Sequence, residues 1–196
     1  METFNEKSSA KDLTDAWEMV DDYSSQAMRP VQNKFSKKFC MIARRVNTPQ
    51  GLPALYGFYK KKKDSFRLSA LLIEGTEGTS IVTLSSSTKG GLGLFMIRSH
   101  AVNRYMQRHG FDGTFNQCQE YIFCNMWVSS QNIDPITQDI VLYFDGGVFL
   151  GKKQNGISYI NTYVLNPHLY PHQRLMSKRL QEKIEQVFEE ARNSKH

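Results

Sequence analysis

Between Leu13 and Ala27 the apolar residues Leu13, Trp17, Val20, Tyr23 and Ala27 recur at steps of three and four, the spacing of one helical face. The pattern predicts a helix from about Lys11 to Ala27 with Asp12 as its N-cap. Pro30 interrupts it, leaving either a kink or a second short helix through Val31 and Phe35. Past Lys38 the texture changes to short apolar runs, Phe39 to Val46, Ala54 to Tyr59, Phe66 to Ile73 and Ser80 to Leu84, separated by Gly, Pro, Ser and Thr. These predict antiparallel strands, with turns at Glu74 to Gly78 and Lys89 to Gly93. Lys60 to Lys63, ahead of Asp64, reads either as a solvated hairpin turn or as a nucleic-acid contact.

The strand candidate Leu92 to Arg98 runs into Ser99 to Gly110, a helix that Ser99 caps and Gly110 ends, with Val102, Tyr105 and Met106 on its buried face. A second helix covers Phe115 to Met126, and Asn132 to Thr137 forms a turn. Strands follow at Asp139 to Phe144, Val148 to Gly151 and Ser158 to Leu165, joined by tight turns at Asp145-Gly146-Gly147 and Gln154-Asn155-Gly156. A last amphipathic helix from His172 to Arg192 carries Leu175, Leu180, Ile184, Val187 and Phe188 as its packing stripe. The fold class is therefore α+β, an antiparallel β-sheet flanked by N-terminal, central and C-terminal helices. Residues 1–37 form a helical arm, 38–91 a β-rich accessory region of the same domain, 92–171 a helix-plus-meander core and 172–196 the C-terminal helix.

A chain of 196 residues that is 40% hydrophobic buries a core without staples and is too apolar for wholesale disorder. Cys40, Cys118 and Cys124 are odd in number and lack a C-x-x-C pairing, which argues against a disulfide framework or a zinc site and for a reducing compartment. Met1 to Asp12 lacks the apolar stretch of a signal peptide, and no membrane-spanning run occurs, so the expected location is cytoplasmic with no membrane role. A net charge of +6 suits an anionic partner such as RNA, and suits a basic protein without one equally well.

His100, Arg104 and Arg108 stand at four-residue intervals, so on the predicted helix they form one stripe that drifts by about 40° per step. An imidazole and two guanidiniums suit phosphodiester chemistry, because the first moves a proton near neutral pH and the others stabilise charge growing on phosphate oxygens. His100 would also sit where a helix N-terminus favours bound phosphate. The same spacing describes the solvated side of any amphipathic helix, and that reading stands beside the first. His109, next to the terminating Gly110, reads as structural. Lys89 to Gly93 lacks the Gly-Lys-Ser/Thr of a phosphate loop, and no G-x-S-x-G nucleophile elbow occurs. His168 and His172 flank Pro171, which disfavours a helical metal pair, and no third ligand is apparent, so no metal and no cofactor is expected. Trp127, Tyr121 and Phe123 read as core or as base-stacking rings.

The order of strand, Ser-His-Ala-x-x-Arg helix, second helix, then a meander with Asp145-Gly146-Gly147-Val148 and ending in Ile160-Asn161-Thr162-Tyr163-Val164 resembles the barnase, EndoU, colicin and RelE superfamily of ribonucleases, in the style of its small phage and toxin-type members. The likeness covers Leu92 to Leu165. It implies that His100 is a general acid or base, that Arg104 holds the scissile phosphate and that the Thr162 hydroxyl contacts it, with Arg108 and Tyr163 as further substrate contacts. It also implies metal-independent cleavage, in which the RNA's own 2′-OH attacks and a 2′,3′-cyclic phosphate remains. Three classes of function follow. An RNA-cleaving enzyme, toxin-like or from a mobile element and with an antitoxin-like partner in prospect, requires His100 and Arg104 beside a pocket with Thr162 across from them. A non-catalytic nucleic-acid-binding module requires the same basic surface open and shallow. A protein-interaction protein requires the arginines paired with local carboxylates.

Overall fold

The computed structural model describes residues 4–34, 40–61, 64–86, 92–126 and 131–193. Its elements are α1 (Ala10–Lys34), β1 (Cys40–Asn47), β2 (Pro53–Lys61), β3 (Asp64–Gly75), β4 (Gly78–Ser86), β5 (Leu92–Ile97), α2 (Ser99–His109), α3 (Phe115–Met126), β6 (Gln131–Ile133), β7 (Ile140–Phe144), β8 (Gly147–Gln154), β9 (Ile157–Leu165), a 3-10 turn (Asn166–His168) and α4 (Pro171–Asn193). The fold is α+β, with the strands in one sheet ordered β1-β2-β3-β4-β5-β9-β8-β7-β6. No helix among the described residues is long and apolar enough to cross a membrane.

All neighbours in the sheet are antiparallel except β5 and β9, which run parallel from Leu94 opposite Ile157 to Ile97 opposite Ile160. A parallel pair needs a long crossover, and α2, α3 and β6 to β8 supply it. The sheet is thus antiparallel, as expected, apart from this one seam. Successive strand residues face opposite sides. Leu55, Leu72, Ile81, Phe95 and Ile97 pack under α2 and α3. Tyr56, Leu71, Ile73, Val82 and Met96 pack under Leu13, Val20 and Met28 of α1. A smaller cluster of Val141, Val148 and Leu169 meets Met176 of α4.

Helix α1 starts where Ser9, not Asp12, caps it: the Ser9 Oγ accepts the Asp12 N–H at 3.2 Å and donates to Asp12 Oδ2 at 2.6 Å. It also continues past Pro30 to Lys34. The carbonyl that a proline cannot serve belongs to Gln26, an exposed residue on the outer side of the helix. Strand β6 occupies part of the segment read as a turn, because Asn132 pairs with Val141 and only Asp134 to Asp139 closes the loop. On α4 Leu180 is buried but Leu175 is 63% exposed, which removes it from the expected stripe, and the side chains of Ile184, Val187 and Phe188 lie outside the described residues. Lys61 pairs with Asp64, so β2 and β3 do form a hairpin, while its tip at residues 62–63, the glycine-rich segment at 87–91, Phe35 and Trp127 lie outside the described residues.

Strand β9 carries the irregularity that matters most for the site. Leu150 pairs with Thr162 but the next residue, Gly151, pairs with Ile160, which leaves Asn161 as the bulged extra residue. A Cβ on Gly151 would run into the Tyr159 carbonyl oxygen, so the bulge depends on a glycine there. Gly151→Ala is expected to lower the free energy of unfolding by about 2–3 kcal/mol, measured by urea denaturation. An unchanged midpoint would show that the backbone moves aside without cost.

Candidate functional site

The N-terminus of α2 is locked to the turn between β3 and β4. Ser99 is fully buried and donates its N–H to Ser80 Oγ at 2.8 Å, while its own Oγ accepts the Glu77 N–H at 3.1 Å. Ser99 is thus the first helical residue and not the cap; Arg98 holds the cap position without a capping side chain. At the other end Gly110 adopts φ 70°, the left-handed conformation expected of a terminating glycine, and its N–H reaches the Met106 carbonyl. Val102 and Tyr105 are buried as the pattern predicts, and Met106 is partly so.

Glu77, in that turn, organises the exposed side of the helix. Its Oε1 lies 2.7 Å from His100 Nδ1, and Asn103 Nδ2 donates to its carbonyl and to Oε2, each at 3.1 Å. Arg104 Nε donates to His100 Nε2 at 3.2 Å. A guanidinium only donates, so Nε2 accepts and the ring proton sits on Nδ1, pointing at the carboxylate. The hydrogen bonds from His100 and then Asn103 hold the Glu77 carboxyl below its ordinary range. Glu77, His100 and Arg104 therefore form a row in which a carboxylate fixes the imidazole tautomer and a cation lies on the free lone pair. Arg104 has no carboxylate within ion-pair distance among the described residues; Gln107 Oε1 takes a second N–H at 3.2 Å.

The predicted stripe divides beyond this row. Arg108 turns toward β9, donates to the Tyr163 backbone carbonyl, and lines an open groove of about 400 Å³ with Val164, Leu165 and His168. Tyr163 is not available to a substrate: it is fully buried, its ring stands edge-on to Tyr105 at 5.0 Å, and its hydroxyl donates to the Asp145 carbonyl at 2.7 Å. Since Tyr163 faces α2, its neighbour Thr162 faces the opposite side of the sheet, level with Leu150, which packs on the α4 cluster. Ile160 also faces α2. Strict alternation from Ile160 would have brought Thr162 to the helix; the bulge at Asn161 reverses the parity and corrects that expectation.

Two acidic residues were missed by the sequence reading, and both lie in turns. Glu77 gave no signal beyond being acidic in a predicted turn. Asp145 has φ 43°, and its Oδ2 receives the hydroxyls of Tyr105 at 2.8 Å and Tyr121 at 2.9 Å and sits 3.2 Å from His109 Nε2. His109, exposed at the end of the helix, also stacks on Tyr105 at 5.0 Å, which fixes its ring against the core. Burial, followed by the bond to Asp145, raises the Tyr105 hydroxyl and pushes Tyr121 up to about 12. The thiols of Cys118 and Cys124 are buried, and that burial pushes them to about 12 and about 11, which makes both unreactive near neutral pH.

His168 and His172 do not converge: His168 lies on the groove, whereas His172 Nε2 is 2.8 Å from Asp134 Oδ2. Among the described residues no group of three or more His, Cys, Asp or Glu could hold a metal ion. Asp134 is fully buried and ties the β6–β7 loop to α4 through Gln173 Nε2 at 2.9 Å and the backbone N–H groups of Ile136 and Thr137. Burial opposes its charge, but the bonds from Ile136, Gln173, His172 and Thr137 together outweigh it and hold the carboxyl far below its ordinary range. A carboxyl lowered in the folded state stabilises above the unfolded range, near pH ~4, and loses that contribution as pH falls. Asp134→Ala is expected to cost about 3 kcal/mol near neutral pH, with the gap to wild type narrowing progressively as pH falls below about 5. A pH-independent gap in denaturation curves would contradict this.

Comparison of the chain with protein-family models, curated proteins and solved structures returned no match in any of the three.

Proposed function

We propose that this chain cleaves RNA without a metal, in the manner of a toxin or a mobile-element nuclease acting in the cytoplasm, with His100 and Arg104 as its working pair. One observation carries the reading: the imidazole of His100 is held between the Glu77 carboxylate at 2.7 Å and the Arg104 Nε at 3.2 Å. The carboxylate keeps the proton on Nδ1, which leaves Nε2 as the base. An arriving phosphodiester competes for the guanidinium, because a charge-assisted bond to phosphate oxygen is stronger than one to a neutral ring nitrogen. Arg104 then moves from Nε2 to the phosphate, and its departure frees the lone pair.

In this mechanism Nε2 takes the proton of the ribose 2′-OH as that oxygen attacks phosphorus. The bond to the 5′-oxygen breaks, the departing oxygen takes a proton from solvent, and a 2′,3′-cyclic phosphate remains. Arg104 balances the charge that grows on the non-bridging oxygens. Thr162 has no part, since it lies across the sheet. That absence, together with the openness of the stripe, favours a second reading in which the same row binds RNA without cutting it. A protein partner of antitoxin type would cover this stripe under either reading.

The test is cleavage of a labelled, mixed RNA pool in EDTA. Wild type is expected to leave cyclic phosphate ends. His100→Ala and Arg104→Ala, each checked for folding, are expected to lose activity by about 100-fold or more, and Glu77→Gln by roughly tenfold. Thr162→Ala is expected to keep full activity. Salt-sensitive RNA retention without cleavage would establish the second reading, and neither cleavage nor retention would overturn both.

A further inference from the structure

The groove beside β9 lies on the continuation of the α2 stripe and has no part in the chemistry just described. It opens where β5 stops. Strand β5 pairs with β9 only as far as Ile160, and past that point α2 takes over the flank, beginning with the Arg98 N–H on the Ile160 carbonyl. The space alongside Val164 and Leu165 is left as an open groove of about 400 Å³. Its rim holds two basic side chains. Arg108 commits an N–H to the Tyr163 carbonyl, which aims the guanidinium, and the rest of its donors find no partner among the described residues. His168, exposed on the 3-10 turn, has no hydrogen bond among the described residues. No carboxylate lines the groove among the described residues.

From this arrangement, and resting on the RNA reading above, we infer that the groove is a second nucleotide subsite for single-stranded RNA: Arg108 and His168 take a phosphate flanking the scissile one, while Leu165, on the α2 face of β9, supports the attached nucleoside. Eight residues of helix separate His100 from Arg108, about 12 Å of rise, a span that an extended strand covers in a few nucleotides. The drift of the stripe around α2 carries the path from the solvent side of the helix, at His100, down to the edge of β9. An apolar side chain for the nucleoside and a guanidinium for the backbone are the two contacts that single-strand binders combine. A structural role explains Arg108 alone, as a clamp on the Tyr163 carbonyl; it gives no reason for a second basic side chain on the same groove.

Binding of a fluorescent RNA octanucleotide and of a dinucleotide, measured by anisotropy and by competition over a salt series, tests the subsite. His168→Ala, which removes no hydrogen bond among the described residues, and Arg108→Ala are each expected to weaken octanucleotide binding by about fivefold to tenfold. Arg108→Ala should also reduce the salt slope by roughly 0.7. Dinucleotide competition, which needs only the His100 end, should be unchanged. Octanucleotide binding that both variants leave intact would overturn the subsite while the RNA reading stands. An octanucleotide that wild type does not bind at all would overturn the RNA reading and the subsite with it. Loss on Arg108→Ala alone, accompanied by a lower unfolding midpoint and no effect of His168→Ala, would reduce Arg108 to a structural clamp and overturn the proposal.

Discussion

The parallel seam between β5 and β9 is the constraint on which the arrangement depends. Leu94 to Ile97 lie beside Ile157 to Ile160, and through those few residues two antiparallel meanders become one sheet. A hairpin cannot make a parallel pair, so the chain must leave the end of β5, cross a face of the sheet and come back from the far edge. Helix α2 is the first leg of that crossing. It is anchored at once, by the Arg98 N–H on Ile160 and by Ser99 against Ser80. Its basic stripe therefore runs past the β3–β4 turn at one end and the free edge of β9 at the other.

Position along the seam also decides which side chains can cooperate. Glu77, His100 and Arg104 meet because the β3–β4 turn projects over the start of the helix, and Asn103 and Ser99 hold it there. The far end of the helix meets a different environment. There Asp145, in a left-handed conformation, gathers Tyr105, Tyr121 and His109 on one carboxylate oxygen. This cluster pins the C-terminal half of α2 to the β7–β8 turn, and the stack of His109 on Tyr105 closes the core beneath it. The helix is thus held by a carboxylate at each end, and only the stripe between them is left for a ligand.

Much of the local structure was legible in the sequence because it depends on near neighbours. The three-and-four spacing of Leu13, Val20 and Ala27 gave α1, Gly110 gave the end of α2, and the Asp145-Gly146 and Asn155-Gly156 pairs gave the hairpins, each residue at a positive φ. What was not legible depends on pairing at long range. Nothing local distinguishes a strand that will pair in parallel, as β5 does, from its antiparallel neighbours. Thr162 shows the same limit more sharply. Its residue type suited a phosphate contact, but the face it occupies is set by a bulge whose other half is Gly151, on a different strand. Glu77 was invisible for a related reason: its importance comes from His100, 23 positions away, and no spacing rule links them.

The first half of the chain cannot be separated from the helix that carries the candidate chemistry. Residues 38–91 read in isolation as an accessory sheet, yet they supply most of what positions α2 and α3. Glu77 fixes the imidazole and Ser80 anchors the first helical N–H. Thr79 donates to Gln119 Oε1 at 3.0 Å, and Arg45 reaches the same oxygen at 2.7 Å. Gln119 is fully buried on α3, so these bonds join β1, β4 and α3 in a setting where an unmade bond is costly. Helix α3 in turn packs Ile122 and Phe123 into the same core as Val102 and Tyr105 of α2. A fragment beginning at β5 would keep His100 and Arg104 but lose the carboxylate that sets the tautomer and the strands beneath both helices. The region N-terminal to the helix is thus part of the site itself, and the smallest unit that can present the Glu77–His100–Arg104 row includes the β3–β4 turn with the strands that hold it.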